Sequence, residues 1–232
     1  MKVILTGHEG SKRILAASAC LADKFLPSGF QVQYLNFGEC PAFLHGCDYV
    51  SLDDTQKGGV GAWSKYLRRH LKVIRDEFVV FGLDDYLLDA PMDRKVFDTL
   101  FRAVVDDAEV VCARLCQSDF YTDREKRIRP DGLIELTPEA AYSVTTQYCL
   151  WRRDALLDVL AQVEDPWQFE MTGSVYLNST GWKVIGSPTP ALRYPDESCL
   201  STKWTGVRVR GNNRENVDFL LGMGHLQQGD LC

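Results

Sequence analysis

No apolar run in this chain approaches the roughly 20 residues that a membrane-spanning helix needs, so no integral membrane segment is expected. A basic excess is missing too. The chain has 26 Lys and Arg against 32 Asp and Glu, a net charge of -6 and a pI near 5.3. Nucleic-acid binders favour a basic surface, so that class is set aside and any positive site must be local. The eight cysteines contain no C-x-x-C pair, which removes the usual zinc-ligand spacing. No secretory leader is expected, because the opening apolar stretch is short and runs at once into His8 and Glu9. The cysteines therefore read as reduced, partly buried thiols in a cytoplasmic protein. G-x-x-x-x-G-K-[ST] is absent, against a P-loop kinase. So is the G-x-S-x-G elbow of the α/β serine hydrolases. Internal repeats, low-complexity tracts and breaks in composition are lacking as well.

What is present is ordinary globular material. Of 232 residues, 45% are hydrophobic and 25% charged, enough for one α/β domain spanning 1–232 with a substantial core. Lys2–Thr6 is a short apolar run suited to a buried strand, and a helix is expected from about Ser11. Pro27-Ser28-Gly29 ends that helix, and Phe30–Phe37 and Asp48–Leu52 read as further strands. From Gly61 to Arg75, Trp63, Tyr66, Leu67, Leu71 and Ile74 keep helical spacing. Phe78–Leu83 is too continuously apolar for a surface strand and belongs at the centre of a sheet. A third helix follows Pro91, and Glu109–Leu115 is another strand. Ser118–Pro138 is polar and turn-rich and reads as a mobile excursion. Tyr142–Trp151 looks extended, and Arg153–Val163 looks helical. The alternation of strand and helix predicts a mostly parallel central sheet between helical layers.

The central strand stops abruptly at Asp84-Asp85-Tyr86. In parallel α/β sheets ligands gather beyond the carboxyl ends of the strands, so two adjacent acids there stand where a hard cation can bind. Carboxylate oxygens suit Mg²⁺ or Mn²⁺, which keep open positions for phosphate oxygens. A cation bridging a nucleoside diphosphate would stabilise it as a leaving group. Taken alone, an Asp-Asp pair at a strand end is equally a turn or a helix cap.

Three blocks in order give the pair its context. Trp63–Leu88 runs a Trp-led helix into a hydrophobic strand and then Leu-Asp-Asp-Tyr. Ser143–Leu160 contains Gln147-x-x-x-Trp151, and Glu164–Ser174 reads E-D-P-W-Q-F-E-M-T-G-S. Together they resemble a bacterial family of GT-A-like nucleotide-sugar glycosyltransferases, and they span about the central half of the chain. The resemblance implies a GT-A-like, Rossmann-like three-layer sandwich. Within it, Asp84 and Asp85 stand in for the family's Asp-x-Asp-like site, with Asp85 as the more direct metal ligand and Asp84 on the ribose or a metal-bound water. The spacing is not a strict Asp-x-Asp, so these two roles are exchangeable.

Glu170 is the candidate general base, since inverting transfer needs a carboxylate to take the acceptor's proton; Asp165 is the alternative. Trp167 and Phe169 are expected to wall the sugar and partly desolvate Glu170, raising its pKa. By the same resemblance, Gln147 and Trp151 shape the acceptor pocket, on one face if that segment is a strand. Thr6, Gly7 and His8 follow the first strand and are candidates for the nucleotide pocket. Lys65, Arg68 and Arg69 on the second helix, with Lys203, Arg208, Arg210 and Arg214 in the tail, are candidates to face the diphosphate. His225 is a candidate third metal ligand, as a late histidine is in many GT-A enzymes. The partners so implied are a nucleotide-sugar donor, UDP-linked on family analogy, and a saccharide or glycan acceptor. A nucleotidyltransferase is the rival enzyme reading, although Gly7–Arg13 fits no basic glycine-rich phosphate loop closely. A non-catalytic carbohydrate-binding module is the rival outside enzymology.

Overall fold

Residues 1–7, 15–41, 44, 48–52, 62–116, 121–194 and 222 are described in the computed structural model of the chain. In order they form β1 (Lys2–Thr6), α1 (Leu15–Phe25), β2 (Gln31–Asn36), β3 (Asp48–Ser51), α2 (Trp63–Leu71), β4 (Phe78–Leu83) and α3 (Arg94–Asp106). These are followed by β5 (Val110–Arg114), β6 (Lys126–Ile128), β7 (Ile134–Leu136), β8 (Cys149–Arg152), α4 (Arg153–Leu160), α5 (Pro166–Thr180) and β9 (Lys183–Gly186). The strands join in one sheet of nine, ordered β3-β2-β1-β4-β8-β5-β9-β7-β6. This is the expected α/β architecture, realised as a mixed sheet. β2 pairs parallel with β3, and β5 with β9, while β8 runs antiparallel to both β4 and β5.

The continuous apolar run of β4 follows from its place. A neighbouring strand lies on each edge, and Val79, Val80 and Phe81 are all at most 1% exposed; alternation would put polar groups into the core. α3 shows the opposite economy. Asp93 caps its amino end by accepting from Lys95 N (3.0 Å) and Val96 N (3.1 Å). Phe97, Leu100 and Val104 are buried along one stripe, while Arg94 and Asp98 pair on the outer face. α5 begins with Pro166 in its first turn and ends at Gly181, whose φ of 77° is the left-handed conformation that closes a helix without a Cβ penalty.

By compactness the chain divides into two units. One comprises 1–2, 54–81 and 93–191, and an aromatic cluster holds part of its core. Phe169 of α5 meets Trp63 at 5.8 Å, Phe81 at 5.5 Å and Trp151 at 6.2 Å between ring centroids, spacings at which tilted and edge-to-face rings attract. The other comprises 3–53, 82–92 and 192–232, with Val3, Ile4, Leu5, Leu15, Leu21, Tyr34 and Leu35 buried.

Two expectations change, and one segment without an expected element gains one. The polar stretch Ser118–Pro138 is not simply an excursion: β6 and β7 pair antiparallel within it and β7 joins β9. Arg129 reaches the buried Glu135 at 3.7 Å, and Arg127 pairs with the same carboxylate. Residues 142–148 are turns, and the chain becomes a strand only at Cys149. Glu164–Ser174 leads into a 15-residue helix, α5, and the strand β9 completes the sheet beyond it. Cys112, Cys116 and Cys149 are buried free thiols and Cys40 an exposed one. Burial, with contact from Cys149, pushes the Cys112 thiol well up, so it stays protonated.

Candidate functional site

The ends of β1, β2 and β4 lie side by side. Asp84 N–H donates to the Thr6 carbonyl at 3.0 Å, and Gly7 N–H to the Leu35 carbonyl at 3.2 Å. This is the carboxyl edge at which α/β sheets hold ligands. Asp84, the first residue beyond β4, is 1% exposed, and Asn36, the last of β2, is fully buried. Asn36 Nδ2 donates to Asp84 Oδ2 at 3.2 Å, while Asn36 Oδ1 accepts from Phe37 N at 2.7 Å. The second bond fixes which way the amide faces, so its NH₂ must point at the carboxylate.

The Asp84 carboxylate also lies over the backbone of Gly7. A Cβ added there would come within 2.1 Å of Oδ2 and 2.3 Å of Oδ1. Only a residue with no side chain leaves that space, which is the physical reason for glycine after β1. Asp84 is therefore a strut joining three strand ends, whereas Asp85, next on the same turn, is half-buried and keeps a face to solvent. Thr6 is fully buried and supports the turn through its backbone carbonyl. Asn36 was not anticipated; its one sequence signal is its place at the end of a buried strand.

A divalent cation fits this edge in a limited way. Mg²⁺ and Mn²⁺ commonly take one or two protein carboxylates and draw their other ligands from phosphate oxygens and water. Asp85 offers such a carboxylate, and Asp84 contributes by holding the turn. Among the described residues no three His, Cys, Asp or Glu side chains gather as a ready-made cage. His225, the expected third ligand, and His8, expected in the nucleotide pocket, lie outside the described residues, as do Lys203, Arg208, Arg210 and Arg214.

The other expected residues belong to the first unit. Glu170, half-buried on α5, directs Oε1 at the preceding turns and accepts from Thr145 Oγ1 (3.1 Å), Thr146 N (2.8 Å) and Thr146 Oγ1 (2.8 Å). Asp165 is the helix cap, accepting from Gln168 N at 2.8 Å. The expected wall of Trp167 and Phe169 does not form as a pair: Phe169 is fully buried, while Trp167 is 77% exposed. Trp151 is likewise a core residue, fully buried against Phe169, rather than the lining of an acceptor pocket. The shared-face argument for Gln147 and Trp151 also lapses, because Gln147 precedes the strand. Gln147 Oε1 instead accepts from Arg114 Nη2 at 3.1 Å.

Arg114 was overlooked, although a lone arginine within V-V-C-A-R-L-C is a signal in itself. It is 2% exposed, donates to the Tyr142 carbonyl at 2.8 Å and also bonds the Tyr121 hydroxyl. Burial pushes Tyr121 up to about 12 against the pull of Arg114, so it remains a neutral phenol. On α2, Lys65 is exposed and Arg68 half-buried. A cavity of about 220 Å³ in the same unit is lined by Arg127, Glu135, Asn178, Trp182 and Lys183 among others. Its charged groups are already paired, Arg127 with Glu135 and Lys183 with Asp107 and Glu109, so it is not the chemical centre.

The mixed sheet with acids beyond a central strand places the chain in a broad structural class, the Rossmann-like α/β fold shared by nucleotide-sugar glycosyltransferases and nucleotidyltransferases. The particular structures it resembles include the mannosyltransferase PcManGT from Pyrobaculum calidifontis in complex with GDP-Man and Mn²⁺, at TM-score 0.55 and 14% identity over 88% of this chain and 58% of that one. CMP:2-keto-3-deoxy-manno-octonic acid synthetase complexed with CTP matches at TM-score 0.52 and 14% identity, covering 96% of this chain and 98% of that one. S. aureus TarS 1-349 matches at 0.52 and 14%, over 82% and 58%. The chain thus spans nearly the whole synthetase but little more than half of either glycosyltransferase chain. No protein-family model and no curated protein sequence matches it. No helix among the described residues is long and apolar enough to cross a membrane.

Proposed function

We propose that the 232 residues act as one metal-dependent glycosyltransferase domain that moves a sugar from a nucleotide-sugar donor to a saccharide or glycan hydroxyl. The observation that carries this reading is the division of labour at the β4 turn. Asp84 is pinned by Asn36 over Gly7, and the adjacent Asp85 stands half-buried on the same turn at the carboxyl edge of the sheet. The donor is UDP-linked by analogy with the resembled family, in a cytoplasmic enzyme. Mn²⁺ or Mg²⁺, when bound, supplies electrostatic stabilisation of the departing diphosphate.

Asp85 would hold that ion, while Asp84 would meet the ribose or the ion's hydration shell and Thr6 and Gly7 would line the nucleotide pocket. The acceptor hydroxyl attacks the anomeric carbon as the bond to the diphosphate oxygen breaks. Its proton passes to Glu170, which the Thr145–Thr146 turn keeps in one rotamer. Transfer by this route inverts the anomeric centre.

A nucleotidyltransferase is the second reading, favoured by a structural likeness that runs over 96% of this chain and 98% of the synthetase. Product analysis separates the two. With nucleotide sugars and Mn²⁺, a transferase releases nucleoside diphosphate, slowly to water and faster to acceptor. Asp85→Ala is expected to lower that release at least 100-fold in a protein that remains folded at the assay temperature. Pyrophosphate release from a nucleoside triphosphate and a free sugar would establish the second reading instead. Binding of nucleotide sugars with neither product would leave a carbohydrate-binding module.

A further inference from the structure

Along α5, Trp167, Met171 and Val175 are 77%, 55% and 72% exposed. Their spacing of four puts them on one stripe about 12 Å long, at 1.5 Å of rise per residue. The opposite face already does the helix's core work, with Phe169, Gly173 and Leu177 buried. Water-facing helices of the same chain look different: α3 presents Arg94, Lys95, Asp98 and Arg102, and α2 presents Lys65 and Arg69. In α5 the one Asp, Glu, Lys or Arg is Glu170, and its carboxylate is turned to Thr145 and Thr146. Thr172 and Ser179, both exposed, border the stripe with hydroxyls. An apolar stripe with a neutral polar rim is the anatomy of an interface centre.

We propose that this stripe is the two-fold contact between two copies of the chain. Charge selects the occupant. A helix that lies on an anionic bilayer carries Lys or Arg along its polar flank, and α5 carries neither, in a chain of net charge -6. A strongly charged partner gains nothing from a face without charge. A second copy meets a surface that is its own complement, an apolar stripe on a helix with no outward-turned charge. In an antiparallel pairing about a two-fold axis, Met171 meets Met171 of the other copy once, on the axis, and Trp167 meets Val175 twice. The three side chains expose roughly 400 Å² per copy. That is about half of the roughly 800 Å² per partner of a standard interface, with the hydroxyl rim supplying more. This inference does not depend on the catalytic reading above.

The test is the mass in solution. Sedimentation velocity on the full chain between about 1 and 100 μM is expected to show a species of twice 26.2 kDa. Met171→Glu and Met171→Lys, each alone, are expected to weaken association at least tenfold, because each sets like charges across the axis. An equimolar mixture of the two is expected to restore a dimer, which happens only if position 171 faces itself. Circular dichroism confirms that the variants fold; Met171→Ser, expected to associate more weakly than the parent, replaces any that does not. A chain that is monomeric throughout the range overturns the proposal. So does a dimer that both charged variants leave intact, or a monomer that floats with neutral phosphatidylcholine vesicles through the same stripe.

Discussion

The two acidic motifs, Asp84-Asp85 beyond β4 and Asp165…Glu170 at the start of α5, look alike in sequence and are used differently. Each supplies two carboxylates five residues apart or fewer, and each spends at least one on architecture. At the first, the buried acid is locked by a side chain from another strand and by the absence of a Cβ at Gly7. At the second, Asp165 caps its own helix and Glu170 ties that helix to the turn before β8. Long-range locking makes Asp84 costly to disturb, whereas Asp165 acts on one helical turn. A carboxylate beside a strand end is thus a chemical candidate only after its structural obligations are counted.

The sharpest way to break this contrast is at Gly7. Gly7→Ala forces the Asp84 carboxylate from its seat, losing the Asn36 bond and crowding the turn, at an expected cost of about 3 kcal/mol. Asp84→Ala is expected to cost about 2 kcal/mol, since it leaves the buried Asn36 amide short of an acceptor. Asp85→Ala removes a half-buried group, one carboxylate oxygen of which is buried, and is expected to cost about 1 kcal/mol, less than Asp84→Ala. Urea unfolding of the three variants reads the order directly. Equal losses at Asp84 and Asp85 would remove the distinction between strut and ligand.

The second motif is probed by two substitutions at one position. Glu170→Ala deletes the acceptor for three hydrogen bonds, one of them from the Thr146 amide, and is expected to cost about 1–2 kcal/mol. Glu170→Gln keeps a carbonyl oxygen in the Oε1 position, so stability should fall by less than about 0.5 kcal/mol while the ability to accept a proton is lost. If Glu170 is the base, the glutamine variant loses acceptor transfer but keeps donor binding. A glutamine variant with full transfer activity would reduce Glu170 to a tie.

Much of this was legible in residues alone. β4 announced itself because a strand buried on both faces has no use for alternation, and the turn after it because two acids end an apolar run. α3 was readable from its apolar stripe, while its Asp93 cap emerged only from the structure. α5 was not, because Trp167, Met171 and Val175 put apolar residues on its exposed side and blur the periodicity. The β6–β7 pairing escaped notice because three-residue strands, one of them Lys126-Arg127-Ile128, are too short to alternate. Trp151 and Phe169 were placed near the chemistry on motif alone, and burial moved them to the core. Asn36 carries only its place at the end of a buried strand as a signal; its role exists only once β2 is folded beside the Asp84 turn.

Asp165 is the other acid of the second motif, and its variants decide whether it has any duty besides capping. Its side chain satisfies one of the otherwise unpaired amides of the first turn, Gln168 N at 2.8 Å, so Asp165→Ala should cost about 1 kcal/mol. Asp165→Ser keeps a capping oxygen without a carboxylate and is expected to recover most of that loss. A pure cap predicts that transfer activity follows stability, so the serine variant is active at temperatures where it is folded. An alternative base predicts the reverse, with stability regained and turnover still missing. Measuring both quantities on the same two variants separates the roles. Loss of turnover in the serine variant, with a full-strength Glu170→Gln, would move the proton acceptor from the side chain that ties α5 to the one that starts it.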